Sequence, residues 1–257
     1  MHMFDGKFND GIWDEHQWEA YLDEIERKST HLRKFITPDH TENKPRWLAL
    51  LHENINELDA VDAFIEEELQ LDDAYFPDED DEELDDEEWE DLEDFFLDQL
   101  DEDELFLDED DFDAGEEWKE LSEDFTMSEN GSIETLAVYN DSRVLAAHLL
   151  HWAESINPKD LTATYNDYVG NVLKIGAKIA GGYSFGFDHN FLGGNIAYTK
   201  KALYCANDAL TILQRDLKGS KYLTTKQYHY FHERLFTLRN NIGIYIQELR
   251  DRFHDSM

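Results

Sequence analysis

Residues 66–124 hold 34 acidic side chains in 59 positions and a single basic one, Lys119. A stretch of such charge density resists burial. Ionised carboxylates lose too much solvation when they leave water unpaired, and like charges at this density repel one another. The core of this 257-residue chain is therefore expected mainly from the residues on either side. The stretch carries −33 of the formal charge of −39, and the remainder is 27 acidic against 21 basic residues. An ordinary chain is interrupted by one extreme segment.

The same charge sorts possible partners. Nucleic-acid affinity rests on Lys and Arg neutralising phosphates, so direct nucleic-acid binding is not expected. Basic proteins and cations are attracted instead. Cys205 is the sole cysteine, which rules out an intrachain disulfide and fits a reducing compartment. MHMFDGKFND has neither the basic region nor the apolar core of a signal peptide. No apolar run approaches the roughly 20 residues that span a bilayer. The expectation is a cytoplasmic protein without a membrane segment.

Three sections follow from the pattern: 1–71, 72–130 and 131–257. In the first, Trp18, Leu22, Ile25, Leu32 and Phe35 predict one helix over 14–35, stopped by Thr37-Pro38. Trp47, Leu51, Ile55, Leu58, Val61, Ile65 and Leu69 predict a second over 47–71, able to pair with the first as a hairpin. In the second section, acidic low complexity argues for a chain that does not fold alone. Yet Trp89, Leu92, Phe96 and Leu100 keep helical spacing, and Leu105, Leu107 and Phe112 form a second cluster. Trp89, Leu92, Phe96, Leu100, Phe106 and Phe112 are the side chains this arm offers a partner. Acidic segments with interleaved aromatics suit elements that order on contact.

The third section predicts four helices, over 133–156, 160–180, 195–217 and 225–253. Gly181-Gly182 is read as a stop, with GGYSFGFDHNFLGG as the loop between the second and third. In the last helix Tyr228, Phe231, Leu235, Leu238, Ile242, Tyr245 and Leu249 alternate three and four apart, which is a bundle seam. The expected fold is all-α: a C-terminal antiparallel four-helix bundle preceded by an N-terminal helical pair and a highly acidic segment.

Leu136-Ala137-Val138-Tyr139, Lys178-Ile179-Ala180-Gly181-Gly182-Tyr183 and Gly219-Ser220-Lys221-Tyr222-Leu223 together resemble the four-helix proteins encoded in intervening sequences of 23S rRNA. The resemblance covers about half the chain. It implies a homo-oligomeric bundle, often a pentamer, without established catalysis. Gly181 stands where that family has Glu, and residues 185–190 look like an insertion. The Arg-rich entry to the third helix is reduced to Lys200 and Lys201.

Several constellations carry possible chemistry. His148 and His151, with Glu154 one turn on, lie on the first bundle helix, and His229, His232 and Glu233 on the last. Histidines three apart share a face, and His with carboxylates on facing helices is how bundles hold a divalent metal. Against this, the Glu-x-x-His pattern of di-iron bundles is absent, and both pairs lie beside the apolar stripe. No bound cofactor is expected apart from a possible divalent metal at these residues. Carboxylates over 109–120 mimic part of a calcium loop, but Ala114 replaces its turn glycine. GGYSFGFDHNFLGG lacks the lysine of a phosphate-binding loop, and Asp188-His189 within it reads more readily as a turn or cap than as a catalytic pair. Cys205 reads as a small buried hydrophobe, and no serine sits in a nucleophile elbow.

The leading reading is a non-enzymatic interaction or scaffold protein. Its acidic arm binds a basic protein surface, and its bundle oligomerises with copies of itself. The alternatives are a metal-binding four-helix bundle protein or enzyme using the paired histidines, and an RNA-associated bundle presenting Lys174, Lys178, Lys200 and Lys201.

Overall fold

The computed structural model describes residues 12–36, 45–73, 127–128, 131–157 and 160–255. Three helices come first: α1 (Glu15–Ile36), α2 (Arg46–Glu53) and α3 (Glu57–Asp73), the last running into the start of the acidic stretch. A two-residue hairpin, β1 (Met127–Ser128) with β2 (Gly131–Ser132), leads through a 3₁₀ turn (Ile133–Thr135) into four long helices. These are α4 (Ala137–Glu154), α5 (Ala163–Ser184), α6 (His189–Arg215) and α7 (Thr225–Asp255). Each packs on the next, and α4 closes on α7, which completes the antiparallel bundle. The all-α expectation holds for the described residues.

Five of the seven predicted seam residues of α7, Phe231, Leu235, Leu238, Ile242 and Leu249, are buried; Tyr228 and Tyr245 are partly buried, and Ile246 takes the buried place next to Tyr245. One end of the bundle is closed by Trp152, whose ring lies 5.8 Å from Phe231 and 6.1 Å from Tyr165. Its Nε1 donates to the Tyr222 carbonyl at 2.9 Å, so the indole is buried without a lost hydrogen bond.

The four predicted bundle helices are present, but the glycine-rich stretch is not the expected loop. α5 continues through Gly181-Gly182, and α6 begins before Gly193-Gly194, so residues 185–188 alone connect them. Asp188 caps α6 by accepting from the Asn190 amide at 2.9 Å, the cap role anticipated for it. The glycines serve packing. A Cβ on Gly182 would lie 2.9 Å from Thr199 Oγ1 and 3.0 Å from the Asn195 carbonyl, so α5 and α6 approach there only without a side chain.

The N-terminal section differs more. The predicted helix over 47–71 is two helices, because Asn54 and Asn56 supply both caps. Asn54 Nδ2 donates to the Leu50 carbonyl at 2.8 Å. Asn56 Oδ1 accepts from the Leu58 and Asp59 amides at 2.9 and 3.0 Å. Ile55, between them, is 96 % exposed although it continues the apolar spacing. Nor do these helices form a separate hairpin. α3 lies on α4 and α5, while α1 lies chiefly on α6. α2 and α3 share one apolar core with the bundle. Arg143 Nε of α4 donates to Asp62 Oδ1 of α3 at 2.7 Å.

Candidate functional site

α1 is held to the bundle by two parallel stripes. The apolar stripe, Trp18, Tyr21, Leu22 and Ile25, is buried against Ala197 and Tyr198 of α6, with Phe185 alongside. Gly193 makes room for it: a Cβ there would lie 2.5 Å from the Trp13 carbonyl oxygen and 2.9 Å from Trp18 Cδ1. The acidic stripe is Glu15, Glu19, Asp23 and Glu26, spaced three or four apart so that all face one side. Opposite stand Lys200 and Lys201 of α6, Lys178 of α5 and Arg250 of α7.

The pairing is close and partly dry. Lys200 Nζ donates to Glu19 at 2.7 Å and to Glu15 at 3.3 Å. Lys201 Nζ donates to Asp23 at 2.5 Å and Glu26 at 2.9 Å. Lys178 Nζ lies 3.8 Å from Glu26 and 5.4 Å from the centre of the Tyr198 ring. Arg250 grips Glu15 with two bonds of 2.7 Å, and Tyr204 donates to Glu19 at 2.9 Å. Lys178, Lys200 and Lys201 keep 3 %, 9 % and 6 % of their surface exposed, unusual for lysine unless it is paired.

These contacts set the ionisation of the seam. The Arg250 bond, with Lys200 assisting, holds the Glu15 carboxyl below its ordinary value against the cost of burial. For Glu19 and Glu26 burial opposes ionisation most strongly. Hydrogen bonds from Lys200 and Tyr204 outweigh it at Glu19, and Lys178 and Lys201 outweigh it at Glu26, so both are also lowered. Burial likewise works against the Lys200 and Lys201 ammonium groups, and their acidic partners raise both nonetheless. A carboxyl lowered in the folded state stabilises it above its unfolded value near 4, and that contribution is lost as pH falls through the folded value. A raised lysine stabilises below its unfolded value near 10.4, and its contribution is lost as pH rises through the folded value. The protection factors of α1 amides, corrected for intrinsic exchange, are therefore expected to be level between about pH 5 and 10 and to fall below about pH 4 before those of α4–α7 do. Simultaneous loss in all helices would show that the seam adds nothing to α1.

The residues singled out in the sequence fall into three groups. Trp89, Leu92, Phe96, Leu100, Phe106 and Phe112 lie outside the described residues, as does the 109–120 stretch. The histidines find separate partners. His148 Nδ1 meets Tyr230 OH at 2.5 Å, and His232 Nε2 meets the Gln214 amide at 2.8 Å. His229 lies against the Tyr228 ring, and Glu233 is exposed. His151 Nδ1 lies 2.7 Å from Glu57 Oε1 of α3, and ligand atoms of Glu57, His151 and Glu154 fall within 4.8 Å of one another. That group contains none of the other three histidines. Burial pushes the Cys205 thiol up to about 11, which keeps it protonated near neutrality and a poor nucleophile.

Sequence reasoning listed Lys178, Lys200 and Lys201 as cations for an external ligand and missed that α1 covers them. The signal was present in the four acids of α1, which recur at helical spacing beside the apolar stripe. No described helix is long and apolar enough to cross a membrane. No known protein family, curated protein or solved structure matches this chain.

Proposed function

We propose that this is a non-enzymatic interaction protein, a helical scaffold whose acidic, aromatic-bearing segment engages a basic partner surface. The observation that carries the reading is charge balance. Outside residues 66–124 the chain holds 27 acidic and 21 basic side chains, too few cations to absorb −33. The most buried of these cations are matched within the described structure, Lys178, Lys200, Lys201 and Arg250 by α1 and Arg143 by Asp62. The acidic segment therefore needs positive charge from elsewhere. Phe236 and Ile244 of α7, 50 % and 59 % exposed, favour self-association of the scaffold.

The test is binding to a panel of purified basic proteins by calorimetry, for the full chain and for a chain lacking residues 78–113. The full chain is expected to bind a subset, with affinity falling steeply as salt rises past about 0.1 M. The shortened chain is expected to bind none of them. Equal binding by both chains would reduce the segment to a solubility device.

A second reading, metal binding, has the Glu57–His151–Glu154 group in its favour. Stoichiometric zinc in tag-free protein, lost on His151→Ala, would move the assignment to it.

A further inference from the structure

The contacts of α1 define a pattern that occurs a second time in the chain. From Trp13 to Glu26 the residues read WDEHQWEAYLDEIE, and residues 84–97 read LDDEEWEDLEDFFL. Each functional position of α1 can be followed across. Asp14 caps α1 by accepting from the His16 and Gln17 amides at 2.9 Å, and Gln17 returns a bond to the Asp14 amide at 3.0 Å. Asp85 and Glu88 stand at those two places in the sequence, residue types that a capping box uses. Glu15, Glu19 and Asp23, which meet Lys200, Lys201 and Arg250, correspond to Asp86, Glu90 and Asp94. Trp18, Tyr21 and Ile25 correspond to Trp89, Leu92 and Phe96, and Trp13 to Leu84. Among the positions that contact the bundle two depart, Leu22 becoming Glu93 and Glu26 becoming Leu97; outside them His16, Ala20 and Glu24 become Glu87, Asp91 and Phe95.

We propose that the face of α5 and α6 under α1 is a docking site for acidic helices of this pattern, and that residues 84–97 of the same chain are its second ligand. Lys200 and Lys201 supply the charge, and the surface opened by Gly193 takes the tryptophan. The chain can reach. Leu69 of α3 lies near Gly181, as does Tyr198, whose ring belongs to the cluster that holds Trp18. The 11 residues from Asp73 to Leu84 span up to about 36–40 Å. The loss of Leu22 makes the second ligand the weaker one, so α1 holds the site unless its own charges are removed. The inference rests on the acidic segment being a binding element; in the natural chain α1 fills the site, which leaves the segment to a basic partner.

The experiment is zero-length carbodiimide cross-linking of the full chain, read by mass spectrometry. In the natural sequence Lys200 and Lys201 are expected to couple to Glu19 and Asp23. In the variant Glu15→Gln, Glu19→Gln, Asp23→Asn, Glu26→Gln, the coupling should move to Asp86, Glu90 and Asp94, about tenfold above the other carboxylates of the segment. Adding Trp89→Ala and Phe96→Ala should return it to background. Coupling spread evenly over the segment, or none, overturns the proposal. A labelled peptide of residues 84–100 titrated into the Glu19→Gln chain gives a second measure that does not depend on the heavier variant. It should bind at least about tenfold more tightly than a peptide of residues 114–126, where Gly115 and Lys119 replace two of the three acids. Equal binding contradicts the site. If cross-links to Lys200 and Lys201 are absent while the full chain still binds basic proteins, the docking site is refuted and the functional reading stands.

Discussion

Lys200→Glu combined with Lys201→Glu will release α1 from the bundle and leave α4–α7 folded. Four short contacts to Glu15, Glu19, Asp23 and Glu26 become repulsive at once. Both lysines are nearly buried, and breaking a buried pair by removing one partner costs about 3–5 kcal/mol. The acids across the seam are more exposed than the lysines, with Asp23 67 % exposed, so the low end of that range is the fitting one. The expected result is a fall of at least about a hundredfold in the protection factors of α1 amides, with those of α5 and α7 unchanged. The reverse exchange, Glu19→Lys and Asp23→Lys in the same chain, should restore much of the loss, since a double-mutant cycle isolates the pairing from the cost of each change alone. Unchanged α1 protection in the lysine variant would mean that the apolar stripe alone holds the helix.

Gly193→Ala tests that stripe with every charge in place. The new Cβ would sit 2.5 Å from the Trp13 carbonyl, a backbone atom that cannot rotate away. Overpacking of this kind costs about 1–3 kcal/mol. Alanine also raises the helix propensity of α6 by about 1 kcal/mol. The two effects fall on different elements. Protection at the start of α1 is expected to drop roughly 5- to 100-fold, while the thermal midpoint of the bundle holds or rises. A fall in both together would place Gly193 in the core of α6 rather than beneath a separable helix.

The bundle was legible because its signals are local and redundant. Seven apolar residues alternate three and four apart along α7, and caps such as Thr224 with Gln227 mark its start. Two features of the fold were misread for physical reasons. The apolar period runs unbroken across Ile55, and only the caps on Asn54 and Asn56 show that the helix ends there. Glycine pairs in α5 and α6 look like breakers in one dimension, whereas close approach of two helices needs them. The seam under α1 was harder, because pairing between residues about 180 positions apart leaves no periodic trace. Its acids were visible on one helix and its lysines on another, and only the fold brings them together.

The most direct measurement of the central claim separates charge from shape in the acidic segment. Trp89→Ala with Phe96→Ala leaves the net charge untouched. Affinity for a basic protein that the full chain binds should be measured across a salt series for both chains. The account predicts that the variant keeps the salt dependence and loses affinity at every salt concentration, by about tenfold or more, as expected when two aromatic anchors are removed. Identical affinities at every salt concentration would contradict it, and leave the segment as charge alone.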